Sequence, residues 1–147
     1  VGVISLSTGA VIDWAMDACE GKNTGETALL WRLLPTIRSG DIVIADSYYA
    51  GYFMIAGLIA QGAAILMPQH HLRITDFRRG HRLGLRDHVV TWVRPQRPQW
   101  MDASTYAAMP EVLVMREARV GGRTLIATLN DVRDVGRQAL AELYTLR

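Results

Sequence analysis

An α/β fold with a mixed sheet is what this sequence predicts, and three observations predict it. Ile42-Val43-Ile44 is an unbroken β-branched run of the kind found in strands buried on both faces. Tyr49–Ala60 follows as an apolar helix, and Ala63–Met67 reads as a second buried strand after a stop at Gln61-Gly62. Strand, helix and strand in that order fit a right-handed crossover between parallel strands. Val1–Ser7 and Ala10–Ala15, joined by Thr8-Gly9, read as a hairpin that adds antiparallel strands to the sheet.

The other elements follow in order. Asn23-Thr24-Gly25-Glu26 resembles a capping box, with Asn23 as N-cap and Glu26 three residues on. Leu29, Leu30, Leu33, Leu34 and Ile37 recur at helical spacing, and Pro35 ends or kinks that helix. A Gly40-Asp41 turn leads into the Ile42–Asp46 strand. After Pro68 the character changes: residues 70–84 are polar, arginine-rich and punctuated by glycine. His88–Val93 is a strand candidate, and the Arg94–Pro98 segment is a stiff connector. Asp102 fits the cap of a short helix ending near Met109-Pro110. Val112–Arg119 and Arg123–Leu129 pair naturally across Gly121-Gly122. Asp131–Arg147 reads as an amphipathic helix with Val135, Leu140, Leu143 and Leu146 on its apolar side.

The 147 residues amount to one domain with room for a real core. No apolar run approaches the ~18 residues that a membrane helix needs, so no membrane role is expected. Cys19 is the only cysteine, which excludes an internal disulfide and any cysteine-rich zinc site. Fifteen of the sixteen basic residues are arginine, with Lys22 the one lysine. Seven arginines lie between His70 and Trp100 against two acids, Asp76 and Asp87, so this segment carries a net charge of +5 in a chain of +2. Codon bias explains the Arg/Lys ratio but not the clustering. Arginine favours bidentate phosphate contact. Arg73, Arg78, Arg79, Arg82 and Arg86 are therefore candidates for the DNA backbone.

Asp46 is the central candidate for chemistry. It stands at the carboxyl end of a buried strand, where open α/β sheets place their ligands. A carboxylate there also fits a cap for the following helix, and the local sequence leaves both readings open. His70, His71, His81 and His88 all lie among arginines, which repel a cation, so they argue against a metal site. No nucleophile elbow or glycine-rich phosphate loop is present. Trp92 and Trp100 flank the Arg-Pro connector. Aromatics among arginines can stack on nucleobases, whereas strand tryptophans are commonly buried; Trp92 is kept as a DNA-binding candidate. Tyr144 and Arg147, three apart, share one face of the last helix.

These segments together carry a family resemblance. The decapeptide Gly-Asp-Ile-Val-Ile-Ala-Asp-Ser-Tyr-Tyr, from Gly40 to Tyr49, resembles the strand bearing the second catalytic aspartate of bacterial DDE transposases. Ala141-Glu142-Leu143-Tyr144-Thr145-Leu146-Arg147 is similar to the start of the Tyr-x-x-Arg-x-x-x-Glu signature of the insertion-sequence-four family. Thr8–Val11, Lys22–Thr27, Asp87–Trp92 and Arg97–Met101 resemble further segments of that family, in the same order.

The resemblance implies a ribonuclease H-like mixed sheet, incomplete here, with a β-rich insertion. On that basis residues 1–69 begin the catalytic core, 70–130 form a basic β-rich insertion and 131–147 start the C-terminal core helix. It implies DNA transposition by phosphodiester cleavage and strand transfer, with three carboxylates holding two Mg²⁺ or Mn²⁺ ions, Asp46 being the second aspartate. Tyr144 and Arg147 would contact transposon-end phosphate. Implied partners are transposon-end and target DNA and a second copy in the full-length synaptic complex, in the bacterial cytoplasm at the nucleoid. There are departures. Ser47 stands where an arginine often follows the aspartate. The first aspartate is expected on a strand before Val1 and the glutamate four residues after Arg147; Asp13, Asp17 and Glu142 do not match those places. A non-catalytic DNA-binding remnant is the alternative.

Overall fold

A computed structural model describes residues 1–18, 21 and 24–147. Its main sheet is mixed and six-stranded, ordered β3-β4-β8-β7-β6-β5. These strands are β3 (Ile42–Ile44), β4 (Ala64–Pro68), β5 (His81–Gly84), β6 (Asp87–Val93), β7 (Val112–Val120) and β8 (Arg123–Ala127). β3 and β4 are parallel, as the crossover reading expects, with Val43 opposite Ile65. β4 then pairs antiparallel with β8, and β8, β7, β6 and β5 continue antiparallel. The strands of the basic segment thus extend the same sheet.

Ile65, Leu66 and Met67 are all completely buried, which is why β4 reads as a continuous apolar run rather than an alternating one. Ile65 and Met67 face a core shared with α1 (Glu26–Leu33) and α2 (Tyr52–Ala60). Leu66 faces the opposite side, with Leu125, Ala127 and Leu140 of α4 (Arg137–Tyr144). Helices therefore cover both faces of the sheet. α1 and α2 cross closely at Gly57, where a Cβ would come within 3.1 Å of Trp31 Cζ3. α3 (Ala103–Ala108) follows the connector after β6, and Asp102 caps it by accepting from the Thr105 amide.

Several expectations need correction. The opening hairpin forms, as β1 (Gly2–Ile4) and β2 (Val11–Trp14), but as a separate two-stranded sheet. Its apolar residues Ile4, Val11, Ile12 and Trp14 are exposed instead of lying on the main core. β3 stops at Ile44, and a 3₁₀ turn over Ser47–Tyr49 precedes α2. Gly25, not Asn23, is the N-cap residue of α1, so Glu26 starts the helix rather than closing a capping box; Asn23 itself lies outside the described residues. Cys19 and Lys22 lie outside them too. Residues 81–84, part of the polar, glycine-punctuated stretch in which the sequence predicts no strand, pair as β5 because β6 offers its free edge there. α4 begins at Arg137, since residues 131–136 are spent on a turn in which Asp131 holds Arg133 bidentately.

A candidate nucleic-acid face around Asp46

Asp46 follows β3 and does two things at once. Its Oδ1 accepts from the Tyr48 amide at 3.1 Å and from the Ser47 hydroxyl at 3.0 Å, so it caps the 3₁₀ turn. Its Oδ2 accepts from Arg147 Nη2 at 3.1 Å, across a sequence separation of 101 residues. Arg147 Nη1 donates to the Tyr144 hydroxyl at 3.0 Å. The Tyr48 amide, then the Ser47 hydroxyl and the Arg147 guanidinium hold the Asp46 carboxyl below its usual range, against a smaller opposing effect of burial. Asp46 and Arg147 side chains are each 45% exposed, so the pair is open to an incoming ligand.

What positions this face is buried polar structure on the sheet. Arg116 on β7 is fully buried and grips Asp87 on β6 with two bonds, at 2.8 and 2.6 Å. Its remaining nitrogen donates to the carbonyls of Leu129 and Val135, at 3.1 and 2.6 Å. Those two carbonyls lie in the segment that leads into α4. Leu140 then anchors α4 on the sheet. The helix ends at Tyr144 rather than running on to Arg147 as expected, and Arg147, three residues past it, reaches Asp46 while bonding the Tyr144 hydroxyl.

On the other side of β7, Glu117 accepts from Trp92 Nε1 at 2.8 Å, and its Oε2 lies 3.2 Å from His88 Nε2. Burial works to raise the Glu117 carboxyl. The neighbouring Thr75 hydroxyl, the bonds from Trp92 and His88, and the charge of Arg73 outweigh it and leave the group lowered.

The structure brings Tyr144 and Arg147 to Asp46 and disposes of the other candidates differently. Trp92 is 3% exposed, and the Arg73 guanidinium lies 3.5 Å over its ring, so it is not presented for base stacking. Burial of the strand's inward face and the bond to Glu117 explain this. Arg78 and Arg79 are exposed and pair with Asp76, whose carboxyl Arg78 holds down at about 2. Arg82 and Arg86 are also exposed, Arg86 with φ 52° in the β5–β6 turn. Arg78, Arg79, Arg82 and Arg86 line neither cleft described next.

Two clefts flank α4 and the β7–β8 turn. One, of about 480 Å³, is lined by Arg123, Leu125, Tyr144, Thr145 and Arg147 among others. A second, of about 330 Å³, takes in Arg73, Arg119 and Arg123. Arg119 and Arg123 lie outside the arginine-dense stretch from His70 to Trp100 and escape a reading by charge density. The signal that would find them is register: Gly121-Gly122 folds them onto neighbouring strands, with Arg119 opposite Thr124 and Val120 opposite Arg123.

Among the described residues, no three His, Cys, Asp or Glu side chains gather as a metal-binding group, and Asp46 has a guanidinium as its partner. The donor set among the described residues therefore does not by itself fit a pair of divalent ions. No protein-family model matches the chain, and neither the curated proteins nor the solved structures offer a match.

Proposed function

We propose that this chain is a central part of a DDE transposase with a ribonuclease H-like core, in which Asp46 is the second aspartate and Tyr144 and Arg147 meet transposon-end phosphate. One observation carries the reading: the two segments most like that family, distant in sequence, meet through the Arg147–Asp46 contact at 3.1 Å. A planar fork of donors suits a phosphodiester, and Arg147 stands beside the carboxylate with nearly half its side chain open. The partners on this reading are transposon-end and target DNA and a second copy of the chain. Mg²⁺ or Mn²⁺ would need two further carboxylates beside Asp46, one on a strand preceding Val1 and one four residues beyond Arg147. The setting is the bacterial cytoplasm.

The test begins at the gene. An in-frame glutamate codon at the fourth position past Arg147 and an aspartate-bearing strand upstream of Val1 are expected. A protein containing both cuts duplex carrying its own transposon end, and Asp46→Asn abolishes cutting while end binding stays within about twofold. Finding neither carboxylate overturns the catalytic reading. The 147-residue chain incubated with duplex DNA and Mn²⁺ is expected to leave it intact; cutting that Asp46→Ala removes would refute that. The Arg147 guanidinium on Asp46 Oδ2, at 3.1 Å where a cation would have to sit, favours the second reading, a DNA-binding protein without turnover. Salt-sensitive binding with no cleavage by any longer form selects it.

A further inference from the structure

We infer that the cleft between the loop after β4 and the β7–β8 turn is a second binding site for DNA backbone phosphate, continuous through Arg123 with the face that bears Tyr144 and Arg147. The inference rests on the reading that this chain handles DNA, and it adds residues that neither the basic segment nor the resemblance singles out. The cleft of about 330 Å³ is lined by Arg73, Arg119, Arg123, His70 and His71, with no carboxylate in its lining. Among the described residues, neither Arg119 nor Arg123 has an acid within ion-pair distance; the Arg119 guanidinium donates only to the Thr124 hydroxyl, at 3.4 Å. The third cation is held in place. Arg73 lies flat on Trp92 and bonds Glu117 through Nε at 3.4 Å, which leaves its terminal nitrogens for another acceptor.

Among the described residues Arg119 and Arg123 have no acid at ion-pair distance, and Arg73 beside them has only Glu117, through Nε at 3.4 Å. Like charges lining one cleft repel one another, and an anion there relieves the repulsion. The geometry favours a polymer of phosphates over a single small anion. Arg123 lines both clefts, and its guanidinium lies 5.9 Å from the Tyr144 ring, so the cationic surface is a track rather than a point. A nucleic-acid strand passing Asp46 and Arg147 at one end meets Arg123 next, then Arg119 and Arg73.

The experiment measures binding of a fluorescent 30-base-pair duplex by anisotropy across a salt series. It uses the wild-type chain, the double variant Arg119→Ala/Arg123→Ala, the pair Arg119→Lys/Arg123→Lys, and Arg133→Ala as control. Arg133 is exposed, held by Asp131, and lines neither cleft. Each lost phosphate contact lowers the slope of log K against log salt by about 1, so the alanine pair is expected to lower it by about 2 and to weaken binding at least about tenfold. The lysine pair keeps most of the slope, and Arg133→Ala leaves it unchanged. Circular dichroism verifies folding, and both arginines are exposed. A wild-type slope in the alanine pair overturns this inference while the transposase reading stands. No DNA binding by the wild-type chain overturns both. If inorganic phosphate binds the wild type and not the alanine pair, while DNA affinity is the same in both, the cleft is a small-anion site and the inference fails.

Discussion

Replacing Asp87 with alanine is expected to cost about 3–5 kcal/mol, the usual penalty for stranding one member of a buried ion pair. The size follows from the environment. Arg116 has no exposed surface and Asp87 has 4%. The substitution removes two short bonds, at 2.8 and 2.6 Å, and leaves a buried guanidinium with only the Leu129 and Val135 carbonyls. Domains of this size hold about 5–15 kcal/mol in all, so a fifth or more of the stability goes. Urea unfolding followed by tryptophan fluorescence reads the effect. With a slope of about 1–3 kcal/mol per molar urea, the midpoint falls by about 2 M. Asp87→Leu combined with Arg116→Met is expected to be milder than Asp87→Ala, because it removes the desolvated charges together. A midpoint shift below about 0.5 M, on the same slope scale, would refute the reasoning. So would a double variant as damaged as the sum of its singles, since contacting residues should not add.

Other outcomes can be measured on the same chain. Arg147→Ala should cost at most about 1 kcal/mol, because the pair with Asp46 is half exposed and solvent-screened, yet it should weaken duplex binding clearly; a large stability loss with unchanged DNA affinity would make the contact structural. Burial, then the charge of Glu26, pushes the Tyr49 hydroxyl up to about 12 from an ordinary 10.0. A raised pKa gives stability that is full below the unfolded value and is lost as pH climbs through the folded one. Tyr49→Phe should therefore flatten the stability decline between those two values, by about 1 kcal/mol after solvent screening; identical alkaline melting curves would contradict this. Ile4, Val11, Ile12 and Trp14 are each more than half exposed on the hairpin, and apolar strands with open edges associate. Ile12→Lys with Trp14→Lys should shift sedimentation toward monomer, and unchanged self-association would clear the patch of blame.

The local parts of this fold are readable from sequence. Ile42–Ile44, Ala64–Met67 and the Gly121-Gly122 turn carry their own signals of apolar runs and left-handed turn residues, and Asp102 caps as its position suggests. The pairing partners are less readable. That β4 lies beside β8, and that the opening hairpin stands apart, depends on side-chain packing between distant segments. The same division holds at the site. Asp46 is visible as a carboxylate closing a strand, and both its cap and its distant partner are met. Trp92 misleads because residue type does not say which face of β6 turns inward. Arg116-Glu117 reads as an ordinary charged pair in sequence. Successive strand residues point to opposite sides, so one locks Asp87 and the other His88 and Trp92.

The position of β4 has a consequence for how the chain is made. Leu66 pairs with Ile44 shortly behind it and with Ala127 far ahead. During synthesis β3, α2 and β4 emerge early, while β8 does not yet exist. At roughly 5–20 residues per second, the open side of β4, apolar along its length, waits for seconds before its partner arrives. The meander from β5 to β8 has two tight turns and one longer connection that carries α3. It can form by itself once translated, whereas docking it onto β4 closes a long loop and comes late. The nascent chain therefore passes through a stage in which its most buried strand is its most adhesive edge. A holdase bound during that interval would raise yield without touching the stability of the finished fold.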